Sequence, residues 1–141
     1  MSLLTRRLLE GVRDAAEVRC QLPVRLGNRS EPEPDFAVVK PRGRHYAKAH
    51  PVAEDVLLVV EISNSTLGYD RYVKIPLYAR HRIPEAWLID VQSARIRFFR
   101  DPRDTGYADM SASERPGIAR LAALPDAKID LAEIFGGLTA G

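Results

Sequence analysis

Cysteine is almost absent from this chain: Cys20 is the single one. One thiol can form no internal disulfide and can build no cysteine-ligated zinc site, which fits a reducing compartment. Long apolar runs are missing too, and none approaches the ~20 residues that span a bilayer. The N-terminal stretch MSLLTRRLLEGVRD interrupts its leucines with arginines, so it does not read as a secretory signal. No glycine-rich loop precedes a helix, which removes nucleotide binding by that route. His45, His50 and His81 lack the mutual spacing of metal ligands. No repeat or low-complexity linker divides the chain. These absences lead us to expect one soluble, cytoplasmic domain over residues 1–141, with no membrane partner.

What is present suits such a domain. The 141 residues are 45% hydrophobic and 28% charged, enough to bury a core without staples. A net charge of +2 says little about partners, but its distribution says more. The stretches KPRGRHYAKAH (40–50) and RYVKIPLYARHR (71–82) cluster Lys and Arg, which suits a polyphosphate backbone through counterion release. The plainer alternative for each is a solvated loop or helix face.

Periodicity predicts a helix over 3–19, with Gly11 as its weak point, and a half-buried strand over 21–27. A connector at 28–34 leads to a short apolar strand at 35–39, then a basic, irregular loop at 40–54. The unbroken run in DVLLVVEIS (55–63) has the pattern of a strand covered on both faces. After a loop at 64–70, Asp70 can cap a helix over 71–82, with Pro76 disturbing its start. A strand at 86–91 returns through a tight connection as 95–100. Residues 101–117 read as a loop. A short strand and a helix at 130–135, ending at Gly136, close the chain. This order predicts an α/β (α+β) fold with a mixed central sheet flanked by helices.

Three residues stand out chemically. Glu61 is the one charge inside VLLVVEI, and a carboxylate in a buried strand needs a cation, a metal or dense hydrogen bonding. The alternative is that the strand's buried part ends at Val60. Asp35 opens an apolar strand after a proline, where an ordinary turn aspartate also belongs. Lys74 shares a predicted helix face with Asp70 and Tyr78 at i−4 and i+4. Taken alone, these three would be a surface ion pair and a core tyrosine. A short loop can nevertheless bring that helix beside the strand carrying Glu61. Two carboxylates and an ammonium suit phosphodiester hydrolysis. The carboxylates hold a hard cation such as Mg²⁺ (or Mn²⁺), and the ammonium offsets charge on the phosphate.

From PDFAVV through VVEISNSTLGYDRYVKIPLYARHRIPEAWLIDV the chain resembles the Uma-two family of endonucleases, of the restriction-endonuclease-like PD-(D/E)xK superfamily. The resemblance covers residues 20–136 and rests most on Glu61-Ile62-Ser63, on Tyr69-Asp70-Arg71 with Lys74 and Tyr78, and on Pro84-Glu85 before Trp87. It implies a restriction-endonuclease-like fold and a Mg²⁺-dependent endonuclease acting on DNA. Asp35 and Glu61 would bind the metal, and Lys74 would assist the water or phosphate. Asp70, Tyr78 and Ser63 would support them. Ser63 stands where the superfamily has its lysine, and Lys74 resembles the relocated lysine of this family.

The resemblance also implies a shortened N-terminus, since family members carry more chain before the first helix. Replacement of the missing strands by a second copy, as a homodimer, follows as a further expectation. Glu10, and after it Glu17, are the candidates for a first-helix acid near the metal, although both also suit a solvated helix. Ser65 and Thr66 follow Glu61 closely enough to bond phosphate or to satisfy the turn. The alternative function is a catalytically inactive nuclease-fold module for nucleic-acid or protein interaction.

Overall fold

The structure, a computed structural model, describes residues 2–64 and 67–139. Ser65 and Thr66 lie outside the described residues. The first helix, α1 (Ser2–Val12), is followed by a single 3-10 turn at Arg13–Ala15 and by strand β1 (Glu17–Cys20). Strand β2 (Phe36–Val39) comes next, then a one-turn helix α2 (His45–Lys48) and strand β3 (Val56–Ser63). A helical crossover follows in three pieces: α3 (Leu67–Tyr69), a π turn (Asp70–Lys74) and α4 (Ile75–Arg80). It leads to β4 (Glu85–Asp90), β5 (Arg95–Arg103) and β6 (Gly106–Ser113). Strands β7 (Ile118–Arg120) and β8 (Lys128–Asp130) and helix α5 (Ile134–Thr139) end the chain.

Strands β1 to β6 form one sheet in sequence order, and β7 pairs with β8 in a second. In the large sheet β3 and β4 are parallel, and every other pairing is antiparallel. A parallel pair needs a crossover, and residues 67–80 supply it. The sheet is therefore mixed and helix-flanked, as the sequence predicts. Leu58, Val60, Trp87 and Ile89 face a core made with Leu4, Leu8 and Val12 of α1 and with Ile129 and Leu131. Val59, Ala86 and Leu88 face the other way, onto Ile75 and Tyr78 of the crossover. Burial on both faces is why the β3 run is continuously apolar.

Several boundaries differ from the sequence expectation, each for a physical reason. The helix expected to reach residue 19 stops at Val12, because Arg13 takes a left-handed conformation (φ 49°) and Glu17–Cys20 pairs with β2. The favourable helix propensity of the two alanines yields to that pairing. The strand expected over 21–27 does not form. Gln21 is also left-handed (φ 52°), and the backbone of 24–26 bonds instead to Pro32, Pro51 and Ser30. Val24 and Leu26 are still buried, so the alternation reported burial but not sheet. The loop expected over 101–117 is largely strand: β5 runs on to Arg103 and β6 returns from Gly106. The last helix begins at Ile134, because β8 occupies 128–130, and Gly136 falls inside it.

Pro76 disturbs its helix in a specific way. It has no N–H to donate and its ring crowds the carbonyl four residues back. The chain widens into the π turn just before it, where the Ile75 N–H donates to the Asp70 carbonyl.

Gly11 is a point of close approach. A Cβ there would collide with the Ile129 side chain and sit 2.7 Å from the Lys128 carbonyl oxygen. Gly11→Ala should therefore destabilise the protein by about 1–3 kcal/mol, against the roughly 1 kcal/mol that alanine normally gains in a helix. Chemical denaturation of the two proteins checks this, and an unchanged or higher midpoint would refute the close packing of α1 on β8.

Candidate functional site

The two parallel strands end side by side, and four buried polar residues, Glu61, Ser63, Asp70 and Asp90, collect there. Glu61 lies in β3, and its residue is only 2% exposed. The strand continues to Ser63, itself fully buried, so Glu61 does not sit at an exposed end. Asp35 immediately precedes β2. Because Phe36 pairs with Val60, the antiparallel register sets Asp35 opposite Glu61 on the crossover face. Its Oδ2 accepts the Ile62 N–H at 2.7 Å, which fixes the half-buried carboxylate beside β3.

The crossover supplies the rest. The Tyr78 hydroxyl donates to Glu61 Oε2 at 2.6 Å, and Lys74 Nζ lies 2.9 Å from the same oxygen. Lys74 is also 3.9 Å from Asp70 Oδ1, and Ser63 Oγ donates to Asp70 Oδ2. Asp70, Lys74 and Tyr78 thus share one face, and the π turn does not break their alignment.

The charges in this cluster depend on one another. Burial drives the Glu61 carboxyl up, while the Tyr78 hydrogen bond and Lys74 pull it back, so it stays above the ordinary glutamate value. Burial alone would lower the Lys74 ammonium. The hydrogen bond and charge of Glu61, with Asp70 and Asp35 behind, outweigh burial and hold it raised, hence protonated. Burial and the Glu61 charge push the Tyr78 hydroxyl far up, so it remains a donor.

Other residues singled out in the sequence fall elsewhere. Glu10 projects into solvent from α1, on the opposite side of the sheet, 3.7 Å from Arg7. Glu17 Oε1 accepts the N–H groups of Arg42 and Gly43 and so ties down a loop. Neither is brought to the cluster. Glu85 is fully buried on the α1 face, where it takes hydrogen bonds from Trp87 Nε1, Arg100 Nε and the Ala122 N–H. That makes it a structural clamp. Trp87 is fully buried and packs edge to face against the partly buried Phe98 (5.5 Å between centroids), so both serve core packing.

Sequence reasoning passed over Asp90. It ends β4 as Glu61 nearly ends β3, and its register partner is Ser63. Burial raises its carboxyl, but hydrogen bonds from Ser93 and the Arg97 charge win and hold it below the ordinary aspartate value. The signal was there: Asp90 closes an apolar run just as Glu61 does.

Among the described residues, no group of three or more His, Cys, Asp and Glu side chains gathers to hold a metal. The carboxylates that the register sets opposite each other, Asp35 and Glu61, would be the donors to an ion there. Hard oxygen donors in that small number suit Mg²⁺ or Mn²⁺, which keep most of their waters, and do not suit a closed zinc site.

The sequence matches the Uma2 family, described as "Putative restriction endonuclease", over residues 1–132. The chain belongs to the Uma2 family. The match begins earlier and ends slightly sooner than the 20–136 of the sequence resemblance. No curated protein matches it. Among solved structures it is similar to one titled as a putative nuclease belonging to DUF820 from Anabaena variabilis ATCC 29413. The TM-score is 0.70 at 17% identity, over 97% of this chain and 78% of that one. At that identity the likeness speaks for a shared nuclease-like fold. Family and fold together support a nuclease function. Among the described residues, no helix of this Uma2 chain is long and apolar enough to cross a membrane.

Proposed function

We propose that this Uma2 protein is a Mg²⁺- or Mn²⁺-dependent endonuclease that hydrolyses phosphodiester bonds in DNA. The observation that carries the reading is Glu61, a buried carboxylate set opposite Asp35 and in contact with a lysine ammonium. Asp35 and Glu61 would hold the cation. Each carboxylate is steadied through one oxygen, Asp35 Oδ2 by Ile62 and Glu61 Oε2 by Tyr78 and Lys74. Among the described residues no hydrogen bond or ion pair engages the other oxygen of either, which is left to reach a cation. The ion, when bound, polarises the scissile phosphate and lowers the pKa of its water.

The chain's own residues do the remaining work. Lys74 brings a fixed positive charge to the phosphate oxygens as negative charge builds on them. Tyr78 fixes the orientation of Glu61. Asp70, itself held by Ser63, keeps Lys74 charged and in place. Such supporting hydrogen bonds typically change metal affinity or activity by about 10- to 100-fold when removed.

The reading is tested by nicking of supercoiled plasmid in Mg²⁺ or Mn²⁺, with Glu61→Ala and Lys74→Ala beside wild type. Metal binding should also follow pH. The ion needs the Glu61 carboxylate, whose pKa is raised, so protons compete for it at higher pH than at an ordinary glutamate. At 100 times its Kd a bound ion stabilises by about 2.7 kcal/mol, which raises the melting temperature by several degrees. That rise should be complete in mild alkali and begin to fade as pH falls through the raised Glu61 value. Without metal the sign reverses for Glu61. A raised carboxyl favours the folded state most below the unfolded value, and that contribution is lost as pH climbs through the folded one. Melting curves across pH, with and without Mg²⁺, check both, and a rise independent of pH would exclude Glu61 as a ligand.

One observation favours a second reading. Lys74 and Tyr78 already neutralise and hydrogen-bond Glu61 without any ion. A polar cluster closed in this way would suit a nuclease fold kept for binding alone. Absence of both cleavage and any metal-dependent shift would select that reading.

A further inference from the structure

The crossover presents two chemically different faces. One carries Asp70, Lys74 and Tyr78 into the cluster around Glu61. The other carries Tyr69, Tyr72 and Val73 outward, 59%, 71% and 48% exposed. Large aromatic rings normally enter the core, since they bring the most apolar area to it. Trp87, Tyr78, Phe36 and Phe99 do so here, and the Tyr107 hydroxyl is satisfied by the Ile83 carbonyl. Three of the eight exposed large hydrophobic side chains of the described residues fall at 69–73, next to the candidate cleavage site.

The surroundings of these rings indicate what they bind. Arg71 places its guanidinium carbon 5.5 Å from the Tyr72 ring centroid, a cation–π contact at the surface. Lys74 is in the same turn, and Arg80 is exposed further along. Flat rings interleaved with cations complement a polyanion whose bases are unstacked, because every base has a π-face and every linkage a negative charge. A paired duplex hides the base faces and would leave the tyrosines without partners.

We propose that Tyr69 and Tyr72, with Arg71, form a stacking platform for unpaired bases of a DNA strand whose backbone runs into the Asp35–Glu61–Lys74 cluster. The inference deepens the nuclease reading and rests on it for the place of the cut. It names the substrate class as single-stranded or locally unpaired DNA. Tyr69 and Tyr72 act by positioning the strand and take no part in the chemistry.

Binding is measured without cleavage, by fluorescence anisotropy of a labelled oligothymidylate and of a labelled duplex in EDTA. Wild type should prefer the single strand. Tyr69→Ala and Tyr72→Ala should each weaken that binding by about 5- to 100-fold, with unchanged circular dichroism. Tyr72→Trp should retain it, and Tyr72→Leu, which keeps apolar area but loses the ring face, should not. Equal binding by all the variants, equal affinity for duplex, or no binding by wild type would overturn the proposal. So would a wild-type dimer in sedimentation that Tyr72→Ala dissociates, since the face would then belong to a second copy.

The two readings fail separately. Plasmid nicking with tyrosine-independent strand binding rejects the platform and keeps the nuclease. Tyrosine-dependent binding without any cleavage does the reverse.

Discussion

Glu61→Ala should lose plasmid nicking by about 10²- to 10⁴-fold, the range expected when a group that stabilises or activates the reacting centre is removed. It should lose the metal-dependent rise in melting temperature with it. The two losses belong together because one carboxylate would serve both as ligand and as the anchor of Lys74, 2.9 Å away. Some stability will go as well. Tyr78 is fully buried and its hydroxyl would lose its acceptor, at a cost of about 1–3 kcal/mol. Glu61→Gln separates the effects, since the amide oxygen still accepts from Tyr78 but carries no charge for a cation. It should be as inactive as the alanine variant and more stable. A Glu61→Gln protein that still nicks plasmid at the wild-type rate would remove Glu61 from the site altogether.

Trp87→Ala should cost about 3–5 kcal/mol, a large part of the 5–15 kcal/mol that keeps a typical domain folded. The indole is completely buried between α1 and the sheet, edge-on to Phe98, and its N–H bonds Glu85 at 2.8 Å. Removal leaves a cavity and takes one of three donors from a fully buried carboxylate. Arg100 and the Ala122 N–H would still hold Glu85, so the loss should come mainly from packing. Urea denaturation followed by circular dichroism reads this directly. A loss below about 1 kcal/mol would mean that the face between α1 and the sheet is not the close-packed core described here.

The elements read most clearly from the sequence are the two central strands, whose environment is nearly the same all along their length. β3 and β4 are covered on both faces, so their middles are apolar, and the few charges in them, Glu61 in β3 and Glu85 and Asp90 at the two ends of β4, are conspicuous. Glu61 was visible for that reason, and Asp90 could have been. The elements that were misread are held by partners distant in sequence. β6 is an edge strand whose side chains are mostly exposed, so no apolar alternation marks it, and its backbone pairing with β5 leaves no trace in composition. β1 is a second edge strand, and its residues look helical until β2 lies beside them. Gly11 looked like a helix defect because Lys128 and Ile129, which it must admit, lie far along the chain.

The candidate site divides along the same line. The sequence by itself determined the chemical inventory: a carboxylate in an apolar strand, an aspartate opening another, and a lysine on a helix face with Asp70 and Tyr78. It determined the family resemblance as well. Only the tertiary structure decided that Asp35 stands opposite Glu61, because strand register follows from which faces are buried. It alone decided that Lys74 meets Glu61, that Glu10 stays on the far side of the sheet, and that Tyr69 and Tyr72 face outward. The reason is physical. Residue type and spacing record what a side chain can do and how deeply it is buried. Which buried groups become neighbours depends on contacts between distant segments, and those form only when the sheet closes.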